Sequence, residues 1–383
     1  MNLPAWPKST VGCLIAIVAL PGLATTSIAT EQDWTVEGRP LPEHRLQRPG
    51  LDSKLPAYHP CPVPRETALV GTAPAILPDL VGRWIGVFEN LVPRVSVDVP
   101  PPYGGPQGAL SPRLQQFLQG SDDFAFLTRA MSLADRATFQ SARGHTPVAV
   151  PVAGGSFAHL GFVDPVVIVV NEANPVERLG KDEMRRLFAL SVTGSRQGLT
   201  WGDLGVAEWS ERRVAIVGGA GWGGEPSARG LVVRERLLAG DSLRTDLGAG
   251  SGPESEVPAR VASNPGAIGF TGLGHLIPGI RPLPIADGDG KFVAPTFDTV
   301  ARASYPLART VDLVLATPAG QSPEPAMAEF LRFLLSRDGQ AIVLDQGVFL
   351  PLRAFQSAAA LKILGLTADG CSAPTQGQER ALE

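Results

Sequence analysis

Thr67-Ala-Leu-Val-Gly-Thr-Ala-Pro74 is followed by Leu77, Leu80, Val81, Trp84, Ile85 and Phe88 at helical spacing, and then by Val95-Ser-Val-Asp-Val99. The first four residues are an apolar run, the next four a turn, the spaced apolar set one face of a helix, and the last five alternate with period two. Strand, helix and strand in that order form a βαβ unit, which brings its two strands together in parallel. The fold class is therefore α/β. Working outward, a helix is expected from Pro112 to Gln119, a buried strand from Phe124 to Leu127, a helix after Ser132, and strands at 147–152 and 165–170. Further on, Lys181 to Leu190 reads as a helix, 214–217 as a strand, Ala228 to Leu238 as a helix, and Asn264-Pro-Gly-Ala-Ile-Gly-Phe270 as a turn into a strand. Thr310 to Ala316 reads as a strand returning to the first half, and helices follow over 325–336 and on through Leu344.

This alternation divides into two lobes, the first from 65–150 plus 310–366 and the second from 151–309, so that the chain crosses between them twice. A chain of 383 residues is long enough for two cores. At 44% hydrophobic and 18% charged it is too apolar and too weakly charged to be disordered. A net charge of -4 gives no basic face for nucleic acid, and 6% aromatic residues offer few stacking platforms. Forty-three glycines and 36 prolines, well above the usual combined share of about 12%, call for many turns and short elements.

The ends read differently from the body. Lys8 precedes an apolar run from Val11 to Ala24, the length of a signal-peptide core and too short to span a bilayer. Ser27-Ile28-Ala29 places small residues where a signal peptidase tests them, so residues 1–29 are expected to be a signal peptide cleaved after Ala29, with Ala24 in reserve. The mature protein is then exported and soluble, which fits the periplasm. Residues 30–64, rich in proline and without periodicity, read as an extended linker, and 367–383 as a tail. Of the three cysteines only Cys61 and Cys371 survive cleavage, and an oxidising compartment permits them to pair across the two ends; two free thiols are the competing reading.

Four turns follow predicted strands and open helices, where unpaired N–H groups and the helix dipole favour an anion. They are Gly71-Thr72-Ala73-Pro74, Ser111-Pro112, Thr128-Arg129-Ala130-Met131-Ser132, and the glycine-rich Gly218 to Arg229. Each has a plainer reading as a cap or a surface salt bridge. The glycine-rich stretch lacks the Lys-Ser/Thr ending of a nucleotide loop and the spacing of a dinucleotide fingerprint, so no nucleotide or other cofactor is implied. No two of the five histidines stand at a metal-ligand spacing. Neither Ser156 nor Ser251 completes a nucleophile elbow. Asp287-Gly-Asp-Gly-Lys291 lacks the ligands of a calcium loop and reads as a hairpin turn.

Taken in order, these segments resemble the periplasmic phosphate-binding proteins, receptor subunits of phosphate ABC importers with the two-lobed type II periplasmic binding protein fold. The resemblance runs from about 66 to 364. Its most specific stretches are Asn264-Pro-Gly-Ala-Ile-Gly-Phe-Thr-Gly-Leu-Gly274, Tyr305-Pro-Leu-Ala-Arg309 and Phe330-Leu-Arg-Phe-Leu-Leu-Ser-Arg-Asp-Gly-Gln340. It implies two mixed sheets flanked by helices, a hinge of two crossovers, and a monomer that binds phosphate or a similar inorganic oxyanion for a membrane ABC permease. No reaction is catalysed. The ligand residues it implies are Thr72, Ala73, Ser111, Thr128 and Arg129 from the first lobe, with Ser227 and Arg229 from the second. Two positions depart from the family: no acid stands near Thr128, and Gly218-Gly219 replace a strand-end arginine, for which Arg229 is the expected substitute. A ligand-free envelope scaffold of the same fold is the alternative expectation, and a phosphatase the remote one.

Overall fold

The computed structural model describes residues 50–100, 112–157, 159, 162–191, 198–218, 227–244, 254–368 and 371. Ser111, the glycines from 219 to 224 and the leader at 1–29 lie outside the described residues. What is described belongs to one compact unit beginning at Pro40.

The opening unit forms as its pattern requires. β1 (Thr67–Thr72) leads through a turn into α1 (Pro78–Leu91), and β2 (Val95–Asp98) then pairs with β1 in parallel. Leu80, Val81, Trp84 and Phe88 form the buried stripe of α1, where a single side must face the sheet. One detail differs from expectation. The helix starts at Pro78 and not at Pro74, because the Leu77 N–H closes a turn onto the Pro74 carbonyl at 3.0 Å. Pro78 is the proline preorganised for a first helical position that has no need of a donor.

α2 (Pro112–Gln119), β3 (Phe124–Leu127), α3 (Leu133–Arg143) and β4 (Val148–Gly154) follow. The first sheet has the order β2-β1-β3-β11-β4, in which β11 (Thr310–Leu315) runs antiparallel to both β3 and β4. The strand that returns late in the sequence thus fills a slot left between two early ones. β5 (Val166–Asn171), entirely buried, begins the second sheet. α4 (Lys181–Phe188), β6 (Ala215–Val217), α5 (Ala228–Arg236), α6 (Val257–Ala262), β7 (Ala267–Gly272) and β8 (Ile280–Pro282) complete its surroundings, in the sheet order β6-β7-β5-β8. β9 (Ile285–Ala286) and β10 (Phe292–Val293) pair around the Asp287 turn, whose carboxylate accepts from the Asp289 and Lys291 amides, so this segment is the hairpin the sequence indicated. α7 (Phe297–Ala301) precedes β11, and α8 (Pro325–Leu335), α9 (Arg337–Gln346) and α10 (Ala354–Ile363) close the chain. Each sheet carries its own apolar core, one centred on Trp84, Phe88 and Phe330, the other on β5 with Phe188 and Trp201. The architecture is α/β with mixed sheets flanked by helices.

The segment from residue 50 to 63 has no regular structure, yet it is packed. Leu55 and Val63 are buried, and the Tyr58 hydroxyl donates to Glu329 at 3.1 Å. Glu329 also accepts from the Cys61 amide at 3.2 Å and pairs with buried Arg332 at 3.1 Å. Burial pushes both the Glu329 carboxyl and the Tyr58 hydroxyl up from their ordinary values. Cys61 and Cys371 form a disulfide, with Cα atoms 5.3 Å apart, that fastens this strap to the other end of the chain.

Candidate functional site

On the side of the first sheet, β1 delivers Thr72 and Ala73, both buried, to the turn before α1. Because the helix begins at Pro78, neither residue caps it. β3 ends beside β11, and there the half-buried Thr128 offers its carbonyl to Arg309, whose Nη2 donates at 2.7 Å. Arg129 turns to its own loop. Its Nη1 pairs with Asp135 at 2.5 Å and donates to the Ala130 carbonyl at 2.9 Å. Asp135 also accepts from the Ser132 amide while Ser132 accepts from the Asp135 amide, a capping box at the start of α3. Arg129 therefore neutralises a helix cap.

On the side of the second sheet, Ser227 caps α5, its Oγ accepting from the Gly230 amide at 3.1 Å. The same hydroxyl donates to Glu254 Oε1. Arg229, the second residue of the helix, is the centre of a cluster. Its Nη1 lies 3.3 Å from Glu254 Oε2, and its Nη2 lies 3.4 Å from Asp164 Oδ1 and 2.9 Å from His275 Nε2. Since a guanidinium can only donate, His275 accepts through Nε2. The Arg229 Nε is buried and has no hydrogen-bond partner. Asp164 is fully buried, and its Oδ2 accepts from the Gly274 amide at 2.8 Å. Gly272 is required at this point, because a Cβ there would stand 2.1 Å from Asp164 Oδ2 and 2.9 Å from Arg229 Nη2.

Arg309 joins the two sides. It immediately precedes β11, and its carbonyl accepts from the Gly155 amide at 2.7 Å, so the two connections between the sheets touch here. Burial pushes its guanidinium down to about 10; Asp164 and Glu254 oppose that shift, and the like charges of Arg229 and Arg236 add to it. It remains protonated at neutral pH. Asp164 and Glu254, the carboxylates paired with Arg229, thus also bear on the charge of Arg309. Behind them on β11, burial raises the Asp312 carboxyl, which the Thr310 side chain, Arg236 and Arg309 partly pull back down. At the rim, Arg136 of α3 meets Glu235 of α5 at 3.3 Å.

The structure therefore brings Ser227 and Arg229 together through Glu254, joins Thr128 to Arg309, and engages Arg129 elsewhere. Asp164, Glu254, His275 and Arg309 were not among the expected site residues. Arg309 had a signal, since it ends the Tyr305-Pro-Leu-Ala-Arg309 stretch, one of the most specific in the resemblance. No local pattern connects Asp164 with Gly274, which are 110 positions apart.

A family model described as the PBP superfamily domain matches residues 65–338. The phosphate-binding protein PstS of Pseudomonas aeruginosa is 27% identical over 325 residues, which cover 82% of this chain and 92% of that protein. The protein of the same name from Staphylococcus epidermidis is 24% identical over 184 residues, 46% of this chain and 51% of that one. Among solved structures, an ABC-type phosphate transport receptor from Vibrio cholerae superimposes with a TM-score of 0.45 at 18% identity, covering 74% of this chain and 99% of that chain.

Proposed function

We propose, for a chain that belongs to the PBP superfamily, that it binds phosphate or a similar small oxyanion between its two sheets and presents it to a membrane ABC importer. The observation that carries the reading is the start of α5, where the Ser227 hydroxyl and the Arg229 guanidinium converge on the same carboxylate and the buried Arg229 Nε has no partner. A positive charge largely withdrawn from bulk water favours an anion beside it, and a guanidinium suits tetrahedral oxyanions because its donors fork. The start of α5 adds the positive end of its dipole. The buried Arg229 Nε is a donor still to be filled. The Pseudomonas aeruginosa relative is a phosphate-binding protein, which supports phosphate as the anion.

On this reading two lobes, 65–150 with 310–366 and 151–309, close on the ligand through the connections at Gly155 and Arg309. Ser227 and Arg229 contribute from one side, with Thr72, Ala73, Ser111 and Thr128 from the other. Arg129 acts only through the start of α3. The chain is exported after loss of residues 1–29, works as a monomer, and makes or breaks no covalent bond in its ligand. The disulfide supports an oxidising compartment. Calorimetric titration of the mature chain with phosphate, arsenate and sulfate tests the proposal. Phosphate is expected to bind one-to-one, and Arg229→Ala to weaken it at least a hundredfold. If none of the three anions binds more tightly than about 1 mM, the assignment is wrong.

A further inference from the structure

Ser227 and Arg229 are donors that a bound oxyanion would use, and both are already directed at one carboxylate. The Ser227 hydroxyl donates to Glu254 Oε1, and Arg229 Nη1 lies 3.3 Å from Glu254 Oε2. The two oxygens of Glu254 thus take up two donors in the way two oxygens of a ligand would. The pair is largely withdrawn from solvent, with side-chain exposures of 17% for Arg229 and 23% for Glu254, so the contact is weakly screened. Asp164 is a different kind of neighbour: fully buried and tied to the Gly274 amide, it is part of the frame. Glu254 stands at the start of a short turn, Glu254–Glu256, before α6.

The charges around the cluster decide what can enter. Arg229, Arg236 and Arg309 bring three positive charges, and Asp164 and Glu254 two negative ones, both paired with Arg229. With Glu254 in place the two carboxylates outweigh the charge of Arg229, and its donors are taken. With Glu254 displaced, one positive charge and two freed donors become available, beside the unfilled Arg229 Nε. We propose that Glu254 is a specificity-determining residue, an internal carboxylate that any ligand must displace, which excludes small carboxylates and admits tetrahedral oxyanions. A carboxylate ligand brings two oxygens and one negative charge, the same as Glu254, and without the advantage of attachment to the chain it loses the exchange. A phosphate dianion brings more charge and enough oxygens to engage Ser227 and both ends of Arg229 together. Selectivity arises here from a built-in competitor, a repulsive element raised against the wrong ligand.

This rests on the proposed anion site, and the test separates the two. Wild type, Glu254→Gln, Glu254→Ala and Glu254→Asp are titrated calorimetrically with phosphate, acetate and formate, and their thermal melting is compared to identify any variant that fails to fold. Glu254→Gln and Glu254→Ala are expected to bind phosphate at least fivefold more tightly than wild type and to acquire acetate and formate binding that wild type lacks. Glu254→Asp, which keeps the charge, is expected to go on rejecting both. Unchanged or weaker phosphate binding in Glu254→Gln and Glu254→Ala overturns the inference, as does their failure to acquire carboxylate binding. If wild type ignores phosphate while these two variants bind phosphate and carboxylates, the internal competitor stands and phosphate capture by the wild-type chain falls.

Discussion

Replacing Gly272 by alanine tests whether the buried frame behind Arg229 holds the anion site in shape. The new Cβ would stand 2.1 Å from Asp164 Oδ2, where 3.0 Å is the closest approach real Cβ atoms make, so something must move by about an ångström. The obstacle is a fully buried carboxylate already held by the Gly274 amide at 2.8 Å and by Arg229. Moving it breaks the amide contact, and a buried acceptor left without its donor costs about 1–3 kcal/mol. Overpacking adds a further amount of about 1–3 kcal/mol. The variant should therefore lose about 2–6 kcal/mol of stability in a urea titration, by the sum of those two effects. Its phosphate affinity should fall at least tenfold, since Arg229 loses one of the groups that orient it. Gly82→Ala on α1 is the control: its Cβ would meet nothing within 4 Å, and alanine in a helix interior is favoured by roughly 0.5–1 kcal/mol. A Gly272→Ala protein within about 0.5 kcal/mol of wild type, or one that binds phosphate unchanged, would refute the claim that this contact orders the site.

Three further outcomes are expected. Cys61→Ser removes a cross-link between residues 310 apart, for which chain entropy sets an upper limit of about 5–6 kcal/mol; melting should drop, a reductant should lower wild type to the same point, and phosphate affinity should stay the same. Arg129→Ala releases Asp135 at the start of α3 and should cost about 1–2 kcal/mol, in the range of a lost helix cap, while changing phosphate affinity less than threefold; a loss as large as that of Arg229→Ala would make Arg129 a ligand residue. Asp312 is raised by burial against the pull of Thr310, Arg236 and Arg309, so the folded chain keeps this proton at a pH where the unfolded chain has released it. Its contribution is full below the unfolded carboxylate range and is lost as pH rises through the folded value. Asp312→Asn should flatten that part of the stability profile, and an unaltered slope in pH-dependent denaturation would count against the assignment.

The opening βαβ unit was legible because one side of α1 must be apolar, and the spacing of Leu80, Val81, Trp84 and Phe88 records which side. Pro74 misled about the start of that helix, since two prolines in one turn can each begin it and only the Leu77 to Pro74 turn bond decides. α10 left no expectation: Ala354-Phe-Gln-Ser-Ala-Ala-Ala-Leu-Lys-Ile363 is rich in alanine and has no one-sided stripe. The strap was read as a bare linker because Leu55, Tyr58 and Val63 are isolated apolar residues among prolines, and what buries them comes from helices more than two hundred residues later. At the site, Ser227 and Arg229 were visible as the entry to a helix, a local feature. Asp164, Glu254 and Arg309 act through contacts between remote segments, which leave no trace in periodicity.

The slot between β3 and β4 has a consequence for how the molecule comes to exist. Among the described residues, β4 pairs with β11 alone, and β11 is the last strand of the chain. While the polypeptide is being synthesised, β4 has no neighbour to bond with and β3 keeps an open edge until residue 315 has emerged. The strap waits longer still, for Cys371. A growing chain therefore cannot finish its first sheet early, and that sheet stays incomplete for most of its synthesis.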